Sequence, residues 1–142
     1  MRRLLGTSLM AGILALVAVM PVAAATKEDV TIVVTTTFDD QPDAFTAAGL
    51  PDCGSGLVYD GPANFAGTPR FGVFAGFKIF DCGNDTGFIL RLNAKFNEEG
   101  SVGTWAVVSS WGSLAGLTGT GSLTGDPFDG GITDTYVGTV SV

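Results

Sequence analysis

The chain has 142 residues, a formal net charge of −7, no histidine and two cysteines. Such a length suits a single domain. The missing histidine excludes Ser-His-Asp and Cys-His catalysis and histidine-ligated metals, and the acidic balance argues against nucleic acid or anionic lipid as a partner.

Residues 1–25 read as an export signal. Arg2 and Arg3 supply a positive start, Leu4 to Met20 is a largely apolar run, and "PVAAAT" offers small residues for cleavage after Ala24 or Ala25. The run is nearly long enough to anchor in a bilayer, but Pro21 and the small residues after it favour cleavage. No cysteine follows for lipid attachment, and "RRLLG" is a poor twin-arginine match. Sec-type export to a secreted or extracytoplasmic location is therefore expected, with no stable membrane insertion after cleavage. Without Arg2 and Arg3, residues 26–142 carry five basic and fourteen acidic side chains, a net charge of −9. Cys53 and Cys82 each sit in an Asp-Cys-Gly frame, and in an oxidising compartment the two are expected to form one disulfide. A nucleophilic thiol would find no histidine to activate it.

Taken in order, the elements are short alternating runs between turn residues, the mark of an all-β domain. "DVTIVVTTTF" (29–38) is a strand. The connection after it, rich in proline and aspartate, holds one possible helical turn over Asp43 to Ala48. "GLVYD" is a short strand and "GPANFAGTPR" a loop. Phe71 to Cys82 is a long strand, closed by the turn "GNDT". In "GFILRLNAKFN", Phe88, Leu90, Leu92, Ala94 and Phe96 share a core face, while Arg91 lies on the wet face, where it could pair with Asp81. "EEGSVG" turns the chain into "TWAVVSSW". "WGSLAG" reads as a hairpin, and "ITDTYVGTVSV" is the last strand.

Seven glycines fall between Gly112 and Gly131, which raises the question of a phosphate-binding loop. The residues answer against it. Leu117, Gly119, Gly121 and Leu123 alternate with Thr118, Thr120, Ser122 and Thr124, no helix follows, and no Gly-Lys-Ser/Thr is present. The stretch is a strand whose glycines permit sharp coiling and the close approach of an aromatic ring, as closure of a small barrel requires.

The tryptophan-ended strand, the glycine-rich hairpin, "LTGTGSLTG" and "DTYVGTV" together resemble a group of small exported bacterial proteins. The same C-terminal rhythm occurs in the plant dirigent proteins and allene oxide cyclases. The resemblance spans Trp105 to Val142. It implies an antiparallel eight-stranded β-barrel over residues 26–142, with a hydrophobic cavity. It carries over no functional residue, because Ser110-Trp111-Gly112 and Leu114 depart from the usual Gly-Thr-Gly and aromatic.

Candidate site residues follow from that barrel. Phe71, Phe74, Phe77, Phe80, Trp105 and Trp111 are the rings to line a pocket for a flat apolar ligand. Asp134 and Tyr136, two apart on the last strand, would form a buried acid beside a phenol if their face turned inward. The sequence favours the plainer reading, in which Asp134 is solvated or caps the turn. Asp126, Asp129 and Asp134, or Asp39, Asp40 and Asp43, are lesser candidates for calcium, without the EF-hand spacing. No cofactor is expected. The leading functional expectation is a non-catalytic binder of a small apolar ligand or a cell-surface partner. An enzyme that folds a reactive hydrophobic intermediate inside the barrel ranks second, and a solidly packed envelope protein third. The Thr/Ser row on the Leu117–Leu123 strand is a minor candidate for polysaccharide or ice.

Overall fold

The computed structural model describes residues 24–38 and 42–142. The export segment lies almost wholly outside the described residues, as do Asp39 and Asp40 of the second calcium candidate. Eight antiparallel strands, each hydrogen-bonded to its neighbours in chain order, close into a barrel: β1 (Glu28–Thr37), β2 (Asp43–Ala48), β3 (Ser55–Thr68), β4 (Phe71–Gly83), β5 (Thr86–Asn97), β6 (Gly100–Trp111), β7 (Thr118–Phe128) and β8 (Gly131–Ser141). Among the described residues no helix is long and apolar enough to cross a membrane.

Three local readings are corrected. Residues 43–48 form a strand, because Asp43 and Phe45 both bury with a period of two between β1 and β3. "GPANFAGTPR" is no loop: β3 runs on to Thr68, with its register shifted between Asp60 and Ala63, where Pro62 has no N–H to give a ladder. "WGSLAG" is split: Trp111 ends β6, and Gly112–Leu114 is a single 3₁₀ turn that drives Leu114 into the core. Nor do Asp81 and Arg91 pair. Asp81 stands opposite Gly87 and accepts a hydrogen bond from the Gly83 N–H at 2.8 Å.

The inner wall follows the alternation of each strand. One end of the barrel is stopped by Leu50, Cys53, Leu114 and Leu117, and the Cys53–Cys82 disulfide (Cα–Cα 5.2 Å) pins the β2–β3 connection to the end of β4. The middle is an aromatic belt. Phe80 stacks on Phe88 at 4.7 Å, Phe45 meets Phe80 edge-on at 5.1 Å, and Tyr136 meets Phe80 edge-on at 5.9 Å. Burying each such ring contributes roughly 1.5–3 kcal/mol.

The glycine-rich stretch is a barrel strand with Leu117, Gly119, Gly121 and Leu123 turned inward. Trp105 explains two glycines. Its ring crosses the inner face of β7 and β8, so a Cβ on Gly121 or Gly138 would come within 2.6 Å of it. Its indole N–H donates to the Ser122 carbonyl at 3.0 Å. Gly121→Ala therefore overpacks the wall and is expected to lower stability by about 1–3 kcal/mol, read as a fall in Tm and a loss of the near-ultraviolet tryptophan dichroism. Replacing both cysteines by serine opens a 29-residue separation and is expected to cost about 2–4 kcal/mol in a denaturant titration, a loss that reduction of the unmodified protein reproduces.

Candidate functional site

The end of the barrel opposite the leucine stopper is open. The β3–β4, β5–β6 and β7–β8 hairpins rise there around a cup of about 400 Å³. Phe38, Phe65, Phe74, Phe96, Pro127 and Ile132 make its upper wall, and Leu92, Ala94 and Leu123 lie deeper, with Lys78 and Asp134 among them. Phe65 packs on Phe74 at 4.9 Å and on Phe96 at 6.4 Å, yet is 72% exposed, as Phe38 is at 73%. Rings standing in water around a concave opening are the unusual feature, since single exposed apolar side chains are ordinary. A larger concavity of about 670 Å³ also includes Phe65 and Phe74, but runs over outward-facing Val73, Ala75, Lys95 and Val102 and holds none of the buried charges.

Strand alternation turns a band of polar side chains inward. Asp134 points inward from β8, Thr36 from β1, Asp43 from β2, Asp60 from β3 and Lys78 from β4. The strands are consecutive around the wall, with Asp60 directly opposite Lys78. The Lys78 ammonium, almost fully buried, donates to the Asp60 carboxylate, and the Thr36 hydroxyl donates to Asp43 at 2.9 Å. The facing wall, β5 to β7, offers Leu90, Leu92, Ala94, Trp105 and Leu123. Of this band only Lys78 and Asp134 line the cup itself; Asn97 and Ser101 add polar groups from β5 and β6, and the rest of its lining is mostly apolar.

Burial pushes the Asp134 carboxyl up to about 6 from an ordinary 3.8. The Lys78 ammonium draws it back down, while the Asp43 and Asp60 carboxylates add to the rise. Tyr136, wholly buried below, is raised well above its usual value by burial first and then by Asp134, Asp60 and Asp43. Among the described residues its hydroxyl has no hydrogen-bond partner, and Tyr136 shares the inward face of β8 with Asp134, two residues away. Asp134 thus lies half-buried on the inward face within β8 rather than capping the β7–β8 turn.

The six watched rings divide. Phe74 lines the cup, and Phe80 and Trp105 are buried beneath it. Phe71 is 62% exposed and, with Phe77, lies on the outer face of β4. Trp111 covers Gly87 from outside, where a Cβ would fall 2.3 Å from its ring. Spacing by three, as in Phe71, Phe74, Phe77 and Phe80, alternates faces on a strand. The calcium candidates also separate: Asp126 faces outward, Asp129 sits in the β7–β8 turn and Asp134 faces inward. Among the described residues no three acidic or cysteine side chains converge to hold a metal ion.

Lys78 and Asp60 were not singled out from the sequence. The clue to Lys78 was there, because it shares strand parity with Phe74 and Phe80. The Thr118–Thr124 row does face solvent, continued by Thr135 and Thr139 on β8 and Thr31 and Thr35 on β1. Threonine suits an exposed strand in any case. No protein-family model and no curated protein matches the chain.

Holding an acid with a raised pKa makes the fold sensitive to pH. The folded state binds Asp134's proton more tightly than the unfolded state does. This group's contribution to stability is therefore fully present below about pH 4, falls as pH rises to about 6, and is level above that. Asp134→Asn is expected to raise stability above pH 6 by about 2–3 kcal/mol, and the gain should vanish near pH 3 in denaturant titrations at a series of pH values.

Proposed function

We propose that this barrel is an exported, non-catalytic binder of a small, largely apolar molecule, which it takes into the open mouth. The observation that carries the reading is the 400 Å³ cup, walled by phenylalanines that stand in water and floored by buried polar groups. A concave, mostly apolar cavity with a few placed polar groups is the usual form of a small-molecule site, and about 300–1,000 Å³ is its usual size. An eight-stranded barrel is just wide enough to fill itself or to hold one small ligand. Packing here is solid from the stopper through the aromatic belt, which leaves the mouth as the place for a guest.

The Cys53–Cys82 disulfide supports an extracytoplasmic setting, in keeping with residues 1–25 as a cleaved export signal. The resemblance of residues 105–142 to the small exported bacterial proteins and to the dirigent and allene oxide cyclase barrels supports the same reading, since a hydrophobic barrel cavity is common to them.

A second reading, an enzyme that folds a reactive intermediate inside the barrel, draws on the inward pair Asp134 and Tyr136. An acid with a pKa near 6 can give or take a proton at neutral pH. A wholly packed envelope protein fits the lower barrel only.

N-phenylnaphthylamine, a non-basic apolar fluorophore that brightens on leaving water, tests the cup. The mature protein is expected to bind it at one site with micromolar affinity. Phe38→Ala with Phe65→Ala should weaken binding about tenfold, roughly 1.4 kcal/mol, and leave the fold intact because both rings are exposed. A native protein that leaves the dye dark would sink the ligand-cup reading.

A further inference from the structure

We infer that the molecule held in the cup is an amphiphile with a cationic nitrogen head, its apolar body lying on the β5–β7 wall and its nitrogen on the Asp134 carboxylate. The inference rests on the mouth being a ligand cup and adds the chemistry of the head group.

The balance of polar groups carries it. Among the described residues Asp43, Asp60 and Asp134 share the band with Lys78, and Asp60, its side chain 60% exposed, already accepts from that ammonium. Asp43 is engaged with Thr36. Asp134 lines the cup and makes no hydrogen bond or ion pair among the described residues. A half-buried carboxylate without a partner lacks a positive or donating group. A second, independent sign is the Tyr136 hydroxyl, buried on the same inward face of β8 without a hydrogen-bond partner among the described residues. Its lone pairs can accept from an N–H held against the band.

The alternatives fit less well. An anionic head would meet the Asp134 carboxylate and an ammonium already engaged by Asp60. An alcohol could donate one hydrogen bond but would leave the Asp134 charge uncompensated. A primary ammonium offers three donors and a charge. The acidity of the whole domain works in the same direction, because a net charge of −9 over residues 26–142 raises the local concentration of cations. The raised pKa of Asp134 supplies a signature. Pairing with a cation pulls that pKa down, so uptake near pH 6 releases a proton, and the preference fades below pH 6 as Asp134 becomes neutral. The charged or titratable groups around it are Lys78, Asp43, Asp60 and Tyr136.

The experiment displaces bound N-phenylnaphthylamine with three ligands of equal chain length, each below its micelle concentration: decylamine, decanol and decanoate. It is run well above pH 6 on the unmodified protein and on Asp134→Asn, whose native fold is checked by near-ultraviolet dichroism. Decylamine is expected to displace the dye at about one tenth of the decanol concentration or less, with decanoate the weakest. In Asp134→Asn decylamine should fall to the level of decanol.

Decanol equal to decylamine, or decanoate tightest, overturns the cationic head while the cup stands. A decylamine preference that survives Asp134→Asn overturns the anchoring role of Asp134. Failure of the dye to bind overturns the cup, and this inference with it.

Discussion

A closed eight-stranded barrel has an interior only as wide as the side chains that line it, and every inward position must either fill that space or be compensated for not doing so. Much of this structure follows from that constraint. Where large rings enter, small residues make way: Trp105 lies across Gly121 and Gly138, and Trp111 lies on Gly87 from the other side of the wall. Where the interior is full, Phe45, Phe80, Phe88 and Tyr136 lock edge to face and face to face. Lengthening of the β3 to β6 hairpins past short β2 then opens the mouth, since, among the described residues, residues 59–68 of β3 pair only with β4.

The same constraint puts charge inside. Inward positions near the mouth fall on Asp60, Lys78 and Asp134; Lys78 is buried and Asp134 half-buried, while the Asp60 side chain stays 60% exposed. Lys78 and Asp60 neutralise each other across adjacent strands. Asp134 is left with burial as its dominant influence, which is why its carboxyl holds its proton up to about pH 6. A charge kept in such a place opposes folding above that pH. Replacing a buried ionic group by a neutral one of the same shape is commonly stabilising, so the placement of Asp134 is better explained by what the cup receives than by what the barrel needs.

The architecture was legible because its signals are local and periodic. The alternation of Phe88 to Phe96 and of Leu117 to Thr124 defines two walls, and the Asp-Cys-Gly frames mark the disulfide. What failed was local as well. Asp43 to Ala48 has the alanines of a helical turn, but its neighbours β1 and β3 supply ladders that outweigh propensity. Pro62 and the glycines of "GPANFAGT" read as loop because a bulge and a loop use the same residues. The cup was only half legible. Phe74 was found, but Phe71, Phe77 and Trp111 were grouped with it by composition rather than by parity. Lys78 and Asp60 went unnoticed because a lone charge in a strand usually faces water. Their pairing depends on the β3–β4 register, which shifts at the bulge between Asp60 and Ala63.

Tyr136 links the packed and the open halves. Its ring belongs to the aromatic belt, edge-on to Phe80, while its hydroxyl finds no hydrogen-bond partner among the described residues. A buried hydroxyl left unsatisfied costs about 1–3 kcal/mol, and a phenylalanine at this place would give the belt the same ring without that cost. The hydroxyl therefore contributes nothing to packing that the ring does not. Asp134, two residues away on the same face, has the same character of a polar group whose burial the fold does not reward. Two such groups side by side, directly under an apolar cup, are what a polar head entering from the mouth would satisfy together.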